Sequence, residues 1–518
     1  MAISTIQTES EEERKGKRPR AALPDILTFL AALLFFGIGI WTRLHDLGLP
    51  FDRDGYDEGV YWQSLRSMAS GYHLYRNIFY SQPPFFLLSI YPTYMLFGQT
   101  LWSARLGIAL ISLLGLLGAF VLGYTVSGRV GGLAALLLLV LDPLYLQQSQ
   151  TLQAEAPFVA FSLLAVASAY LWWKHPNGRL GMTYATFAGV TLALSIFCKL
   201  FGLATLVPIG LLFLAHIRRI WLQEPKTRLL TSRSLLLGVA AFLLTCAALL
   251  LPFASSFSQL IQGVISFHSA ASKVYQGTKT VNPSLLRHSL TSLLTLAAIY
   301  GAIVALLRRD WLVLPLLAWL GATVLLLWQQ TPLFGHHLVA LTAPLASLAV
   351  IGIHPLPALK TFKLARSRLS ACVILLAVLA VILVTVVDCI TVQSYYKSEA
   401  QQGSTVAVTH WDVNVERDLQ RVTPPDQLVI TDAQFLAARA NRNIDPPLVD
   451  TSNVRVSTGY LTVQLLITEA ARPSVHTVLF YTGRLFRIKD ITLFYMWLKQ
   501  HFRLAQKYYA GKELWVKV

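Results

Sequence analysis

The sequence predicts a mostly α-helical polytopic membrane protein that carries a C-terminal exterior α/β domain. Three observations lead to this fold class. The 518 residues are 55% hydrophobic and only 13% charged, with a mean hydropathy of +0.54. Apolar runs of about 18 to 25 residues, each long enough for a hydrocarbon core of roughly 30 Å, recur from Pro24 to Val392. From residue 393 onward short strand-like and amphipathic segments replace them, as in a water-soluble fold. A soluble chain is excluded by this composition.

In chain order, residues 1–23 read as a cytoplasmic tail, because RKGKRPR (Arg14 to Arg20) precedes an overlong apolar stretch without cleavage-site texture. About eleven spans follow, near 24–42, 104–126, 131–148, 157–173, 181–198, 200–217, 234–253, 286–307, 311–328, 334–353 and 369–392. The net charge of +17 and pI near 9.7 do not imply a nucleic-acid partner. The cations lie in short loops, at Arg129, Lys174 to Arg179, Arg218 to Arg233, Arg308 and Arg309, and Lys360 to Arg368, where they set orientation. Those loops share the cytoplasmic side only if Pro83 to Gly98, short and interrupted by Pro92, does not cross. That segment is therefore expected as an interfacial or re-entrant helix within a first exterior loop, 43–103. An odd number of spans then places residues 393–518 outside, with a second exterior loop at 254–285 that is rich in Gly, Ser and Thr and suits a mobile cover. The reading is a multi-pass plasma-membrane protein, and a bacterial membrane fits its basic tail and compact loops. Cys198, Cys246, Cys372 and Cys389 show no ligand spacing and read as packing residues. In 393–518, DQLVITD, HTVLFYT and ELWVKV read as strands, and AQFLAARAN, TGYLTVQLLITEAAR and TLFYMWLKQHFRLAQKYY as helices.

With this topology Asp54, Asp57, Glu58, Arg76, Arg105, Glu155, Lys199, His268, Lys273, His336 and His337 all fall at exterior ends or loops. A carboxylate near a bilayer must be hydrated, paired or used. Each of these residues alone reads as a hydrated helix-end anchor. Collected on one rim, they suit a lipid with an anionic head group.

YDEGVYWQSLRSMASG, YRNIFYSQPPFFLL and the run from Ser103 to Phe161, with its arginine, basic turn, apolar span and second acidic loop, form an ordered series. In this series the chain resembles the GT-C glycosyltransferases, in particular the phospholipid-carrier-dependent branch that includes protein O-mannosyltransferases and lipid A aminoarabinose transferases. The resemblance is strongest from Asp52 to Pro208, and LFGHHLVALTAPLASLAVIG resembles the late helix of many members. It implies a transmembrane catalytic domain over 24–392 that moves a sugar from a polyprenyl-phosphate donor to an acceptor hydroxyl on the exterior face, with inversion. Asp57 is carried over from the acidic signature as general base, a role also open to Asp54 or Glu58; Glu58 alternatively supports Asp57 or contacts the acceptor. Glu155 matches the second-loop acid, where many relatives carry Asp, and orients sugar or acceptor.

Breaking the anomeric C–O bond releases phosphate as a stable anion, so the leaving group needs cations, not an acid. Lys199, Arg76, His336 and His337 are the candidates for that phosphate, with Arg105 next. The acceptor hydroxyl needs a carboxylate within hydrogen-bond reach. No cofactor is required by this scheme, and the acids suit a divalent cation only if the fold brings them together. Partners are the lipid-linked donor, membrane lipids and a protein, lipid or glycan acceptor. A transporter or flippase is the alternative, without two matching halves of broken helices to support it; a membrane sensor with a sugar-binding exterior domain is another.

Overall fold

The structure is a computed structural model that describes residues 23–48, 56–222, 225–353, 363–405 and 410–518. Asp54 lies outside the described residues. The membrane region contains, in chain order, α1 (Leu23–Leu44), α2 (Tyr56–Ala69), α3 (Phe85–Leu96), α4 (Leu101–Leu141), α5 (Pro143–Gln150), α6 (Glu155–Lys174), α7 (Gly178–Cys198), α8 (Leu206–Trp221), α9 (Pro225–Leu250), α10 (Phe257–Ile261), α11 (Phe267–Val274), α12 (Asn282–Leu290), α13 (Leu293–Leu307), α14 (Val313–Gln329), α15 (Thr342–Ile351) and α16 (Lys363–Thr405). The expected mostly helical membrane fold is observed. Among the described residues seven helices are long and apolar enough to cross a membrane, or up to eight if the α12–α13 pair, bent by 72°, is one span.

Helix α4 supplies two of the expected spans because it folds back at Ser127 and Gly128, the latter at φ 69°. A side chain on Gly39 of α1 would touch Leu116 at 2.5 Å and Val140 at 3.2 Å, so the two arms of α4 run side by side against α1. Helix α6 sits at the centre, with 89% of its apolar window buried, whereas α1 buries only 6% and lies at the periphery. The Pro83 to Gly98 segment holds α3, whose 12 residues extend roughly 18 Å and fall short of a ~30 Å core. The 254–285 region is a chain of short helical turns with most side chains exposed, and it is seated at Gly263, where a Cβ would stand 2.4 Å from the Tyr80 carbonyl.

The C-terminal domain comprises α17 (His410–Val422), β1 (Leu428–Thr431), α18 (Gln434–Arg439), β2 (Asn443–Ile444), α19 (Asn453–Ser457), α20 (Val463–Ala471), β3 (Val475–Phe480), α21 (Ile491–His501), β4 (Phe502–Lys507) and β5 (Glu513–Lys517). Its sheet has the order β2-β1-β3-β5-β4. Strand β1 pairs in parallel with β2 on one side and β3 on the other, and β5 runs antiparallel to both β3 and β4. The three expected strands are present. The helix expected over 492–509 stops at His501, and the chain continues as edge strand β4, in which only Phe502 is buried. A strand exposed on both faces lacks the alternating pattern that would announce it.

This domain grips α2 directly. A Cβ on Gly59 would lie 2.4 Å from the backbone nitrogen of Phe435, so only glycine permits this approach of α2 to α18. One turn further on, the Gln63 amide donates to the Arg442 carbonyl at 2.9 Å and its oxygen accepts from Ile444 N at 3.2 Å. At the start of α2, Tyr56 donates to Asp450 Oδ1 at 2.9 Å. The helix that carries Asp57 is thus mounted on the C-terminal domain at three successive levels.

Candidate active site

Four ionisable side chains from three separate places in the sequence meet at one end of the bundle. Glu155 is the first residue of α6, where a carboxylate complements the helix dipole. Lys199 is the single extended residue (φ −157°, ψ 140°) between α7 and the 3₁₀ turn Leu200–Thr205 that leads into α8. That sharp reversal requires Gly202, where a Cβ would stand 2.6 Å from Ser195 Oγ. His336 and His337 open the 3₁₀ turn Gly335–Leu341 ahead of α15.

Lys199 Nζ forms an ion pair with Glu155 Oε1. His336 Nε2 lies 3.5 Å and His337 Nε2 4.0 Å from the same oxygen. Phe334 N donates to His337 Nδ1 at 3.3 Å, so the proton of a neutral His337 is carried on Nε2, facing the cluster. Phe334 stacks on His336 with ring centroids 5.6 Å apart, and Phe201 packs edge-on against His337 at 5.1 Å while Lys199 Nζ stands 5.5 Å above its ring. The result is a cluster with aromatic walls in which one ammonium and two imidazoles face one carboxylate.

Asp57 lies in the first turn of α2 and is half-buried. Tyr61, one helical turn on, links it to the cluster. Burial, and then the charges of Asp57, Glu155 and Asp450, raise the Tyr61 pKa well above its ordinary value. A phenol in this setting remains protonated and serves as a hydrogen-bond donor.

Two sequence candidates are assigned a different role. Glu58 and Arg105 are 0% and 1% exposed and form a closed pair. Glu58 Oε1 accepts from Arg105 Nε at 2.8 Å and from Leu152 N at 2.7 Å, while its other oxygen pairs with Arg105 Nη2. Arg105 Nη1 donates to the Leu47 carbonyl at 2.7 Å. With these groups committed, neither residue is presented to a substrate; the pair ties α2 to α4 and to the linker before α6. Arg76 is exposed on a turn between Leu74 and Ile78 and has no contact with the buried cluster among the described interactions. Asp142 caps α5, accepting from Tyr145 N at 2.6 Å, as its place before Pro143 suggests.

Two further residues, His268 and Asp450, lie within the charge environment of the site. His268 of α11 is held by a 2.8 Å hydrogen bond to the Ser81 carbonyl, and its charge environment includes Lys199 and Asp450. Lys273, five residues on, is exposed. Asp450 comes from the C-terminal domain and is 6% exposed; besides Tyr56 it accepts from Ser452 N at 2.7 Å. Only that local Asx turn marks Asp450 in the sequence, and such turns are common.

Glu155, His336 and His337 each offer one ligand atom, all within 4.8 Å of one another. One carboxylate and two imidazoles are a donor set suited to zinc-like ions. The ammonium of Lys199 occupies the same carboxylate oxygen and opposes a second positive charge there.

Comparison with known proteins agrees with this architecture. Residues 71–270 match the family model for dolichyl-phosphate-mannose-protein mannosyltransferases. ArnT from Cupriavidus metallidurans bound to undecaprenyl phosphate is similar over 96% of this chain and 99% of that one, at 14% identity and a TM-score of 0.54. Its apo state is similar over 95% and 97%, at 15% identity and a TM-score of 0.56. The archaeal oligosaccharyltransferase AglB from Archaeoglobus fulgidus, in complex with an inhibitory peptide and a dolichol-phosphate, is similar over 96% and 75%, at 14% identity and a TM-score of 0.52. No curated protein matches the chain. The chain has the GT-C glycosyltransferase fold, with its transmembrane helices and C-terminal domain. The likeness in fold extends over nearly the whole chain, and the family-model match covers residues 71–270.

Proposed function

We propose that this protein is a membrane glycosyltransferase that moves a sugar from a polyprenyl-phosphate donor to an acceptor hydroxyl, on the membrane face that carries the C-terminal domain. The observation that supports the reading most is the meeting of Lys199, His336 and His337 around Glu155, beside the helix that presents Asp57. The solved proteins of the same fold bind undecaprenyl phosphate and dolichol-phosphate, which fits a lipid phosphate at a cluster that offers an ammonium and an imidazole N–H.

In the proposed reaction the acceptor oxygen attacks the anomeric carbon and its proton passes to Asp57. The anomeric C–O bond breaks, and its electron pair leaves on the polyprenyl phosphate. Lys199 and the Nε2–H of His337 stabilise the charge that grows on that phosphate, at positions fixed before the reaction begins. One displacement at one carbon inverts its configuration. Glu155 holds Lys199 in place and orients the sugar. The scheme uses Lys199 where a metal ion would otherwise act, so turnover is expected to survive chelators; its loss to EDTA and recovery with zinc or manganese would replace Lys199 by a metal in this role. The acceptor is a hydroxyl of a protein, lipid or glycan, and the exterior face is that of a bacterial plasma membrane.

The test is purification of the protein and its Asp57→Asn variant, followed by mass spectrometry of the co-purifying lipids. A polyprenyl-phosphate sugar enriched on the variant is the expected result. Its absence from both folded proteins would shift the reading to a transporter or sensor.

A further inference from the structure

A groove of about 650 Å³ opens between the C-terminal half of α2, the turn joining α3 to α4, and the β2 edge of the C-terminal sheet. It shares no lining residue with the Glu155 and Lys199 cluster. Its floor contains Arg66, whose Nε donates to Asn443 Oδ1 at 2.9 Å and whose Nη2 donates to Asn441 Oδ1 at 2.8 Å. Behind it stands Arg442, which spends its donors on the carbonyls of Thr423 at 2.7 Å, Gln420 at 2.7 Å and Asn441 at 3.0 Å. Each guanidinium therefore meets neutral oxygens. Among the described residues neither has a carboxylate within ion-pair distance, and no Asp or Glu lines the groove. Arg439 at the rim is different, being paired with Glu416 at 2.9 Å.

Arg442 is buried and Arg66 half-buried; two neighbouring guanidiniums in this setting repel one another without a counter-ion, and an anionic occupant relieves that cost. The surroundings indicate where such an occupant comes from. Trp62 is buried in one wall, and Trp102, 47% exposed, stands in the first turn of α4. Immediately before it Leu96 and Phe97 are 78% and 57% exposed at the end of α3. An exposed tryptophan next to exposed apolar side chains at the end of a spanning helix marks the depth of lipid head groups. The groove thus opens at the bilayer surface, with its cations set inward of an aromatic rim.

We propose that this groove binds the phosphoryl group of an anionic membrane lipid in the leaflet facing the C-terminal domain. Arg66 receives the phosphate, and the Asn441 and Asn443 amides hold the guanidinium in position. Because those amides belong to the C-terminal domain and Arg66 to α2, a bound lipid strengthens the joint between the two. The proposal does not depend on the transferase reading.

The experiment uses full-length protein in nanodiscs of phosphatidylcholine with and without phosphatidylglycerol, read by native mass spectrometry for retained lipid and by thermal melting. The parent is expected to retain phosphatidylglycerol preferentially and to melt higher in its presence. Asn443→Asp places a carboxylate on Arg66; it is expected to fold with undiminished melting temperature in phosphatidylcholine and to lose about tenfold of the preference. Trp102→Ala, at an exposed rim position, is expected to weaken retention without affecting the fold. Unchanged preference in both variants overturns the proposal. Stabilisation by inorganic phosphate equal to that by the lipid, and abolished in Asn443→Asp, would replace the lipid by a soluble phosphate and overturn the lipid assignment.

Discussion

Removing the charge of Lys199 separates its two roles, because the residue is both the partner of a buried acid and the proposed seat of the donor phosphate. Glu155 is 2% exposed, and its nearest cation is Lys199. In Lys199→Gln this carboxylate loses that cation, and breaking a buried pair in this way costs about 3–5 kcal/mol. The histidines at 3.5 and 4.0 Å recover part of this by taking up a proton, so the lower end of the range is expected. The double variant Glu155→Gln, Lys199→Gln has no orphaned charge and is expected to melt near the parent temperature. Activity behaves differently. A lysine about 4 Å from a phosphate at an effective dielectric constant near 20 contributes about 4 kcal/mol for each unit of charge. Glu155 already draws on part of that charge, so about 3 kcal/mol, or roughly a hundredfold in kcat, is assigned to it. The assay is transfer of radiolabelled sugar from a polyprenyl-phosphate donor, measured beside thermal melting in the same detergent. The single variant is expected to lose both stability and turnover, and the double variant to regain stability alone. If the double variant regained turnover to within a few-fold of the parent, Lys199 would be a structural partner and the proposed phosphate site would be wrong.

Asp450→Asn preserves the hydrogen bond to Tyr56 but removes the negative charge near Tyr61 and His268; kcat is expected to fall about tenfold with little change in melting, and an unaltered pH–rate profile would count against a part in the site. Gly59→Ala drives a Cβ into the Phe435 backbone and is expected to cost about 1–3 kcal/mol, with a fall in turnover as α2 moves; normal activity and normal melting together would contradict the tight mount. Asp445 is buried, and burial followed by the neighbouring Glu469 pushes its pKa up to about 8. The folded state therefore keeps a proton that the unfolded state releases near pH 4, and stability falls as pH rises between about 4 and 8, by at most about 1.4 kcal/mol per pH unit. Asp445→Asn should flatten that slope in melting curves taken across this window; a slope identical to the parent's would show that another group is responsible.

The long apolar helices were legible because a run of apolar residues needs no partner to be recognised. The fold-back of α4 at Ser127 and Gly128 was likewise signalled by the basic turn at Arg129. Glu155, Lys199, His336 and His337 were legible for a related reason: ionisable side chains beside apolar runs are expensive and seldom incidental. What the sequence withheld was pairing. Glu58 and Arg105 are separated by 47 positions, and nothing local indicates that each closes the other off. Asp450 is 394 positions from Tyr56, in a loop whose Asp and Ser would suit any turn. The edge strand β4 was read as the continuation of α21 because, past Phe502, its side chains are exposed on both faces.

The same contrast separates the two acid–base pairs by what each has left to offer a ligand. Glu58 and Arg105 use a planar fork against both carboxylate oxygens, with a backbone N–H and a carbonyl taking further valence, in a site with 0% and 1% exposure. Such a pair holds structure and has little left with which to meet a ligand. Lys199 spends one of three ammonium donors on Glu155, its side chain is 10% exposed, and the histidines beside it present ring nitrogens to the same place. A charge that is partly paired is kept in position without being consumed. Binding an anionic phosphate then requires a shift of hydrogen bonds within the cluster and no prior rupture of the fold, which is the preorganisation that electrostatic catalysis needs.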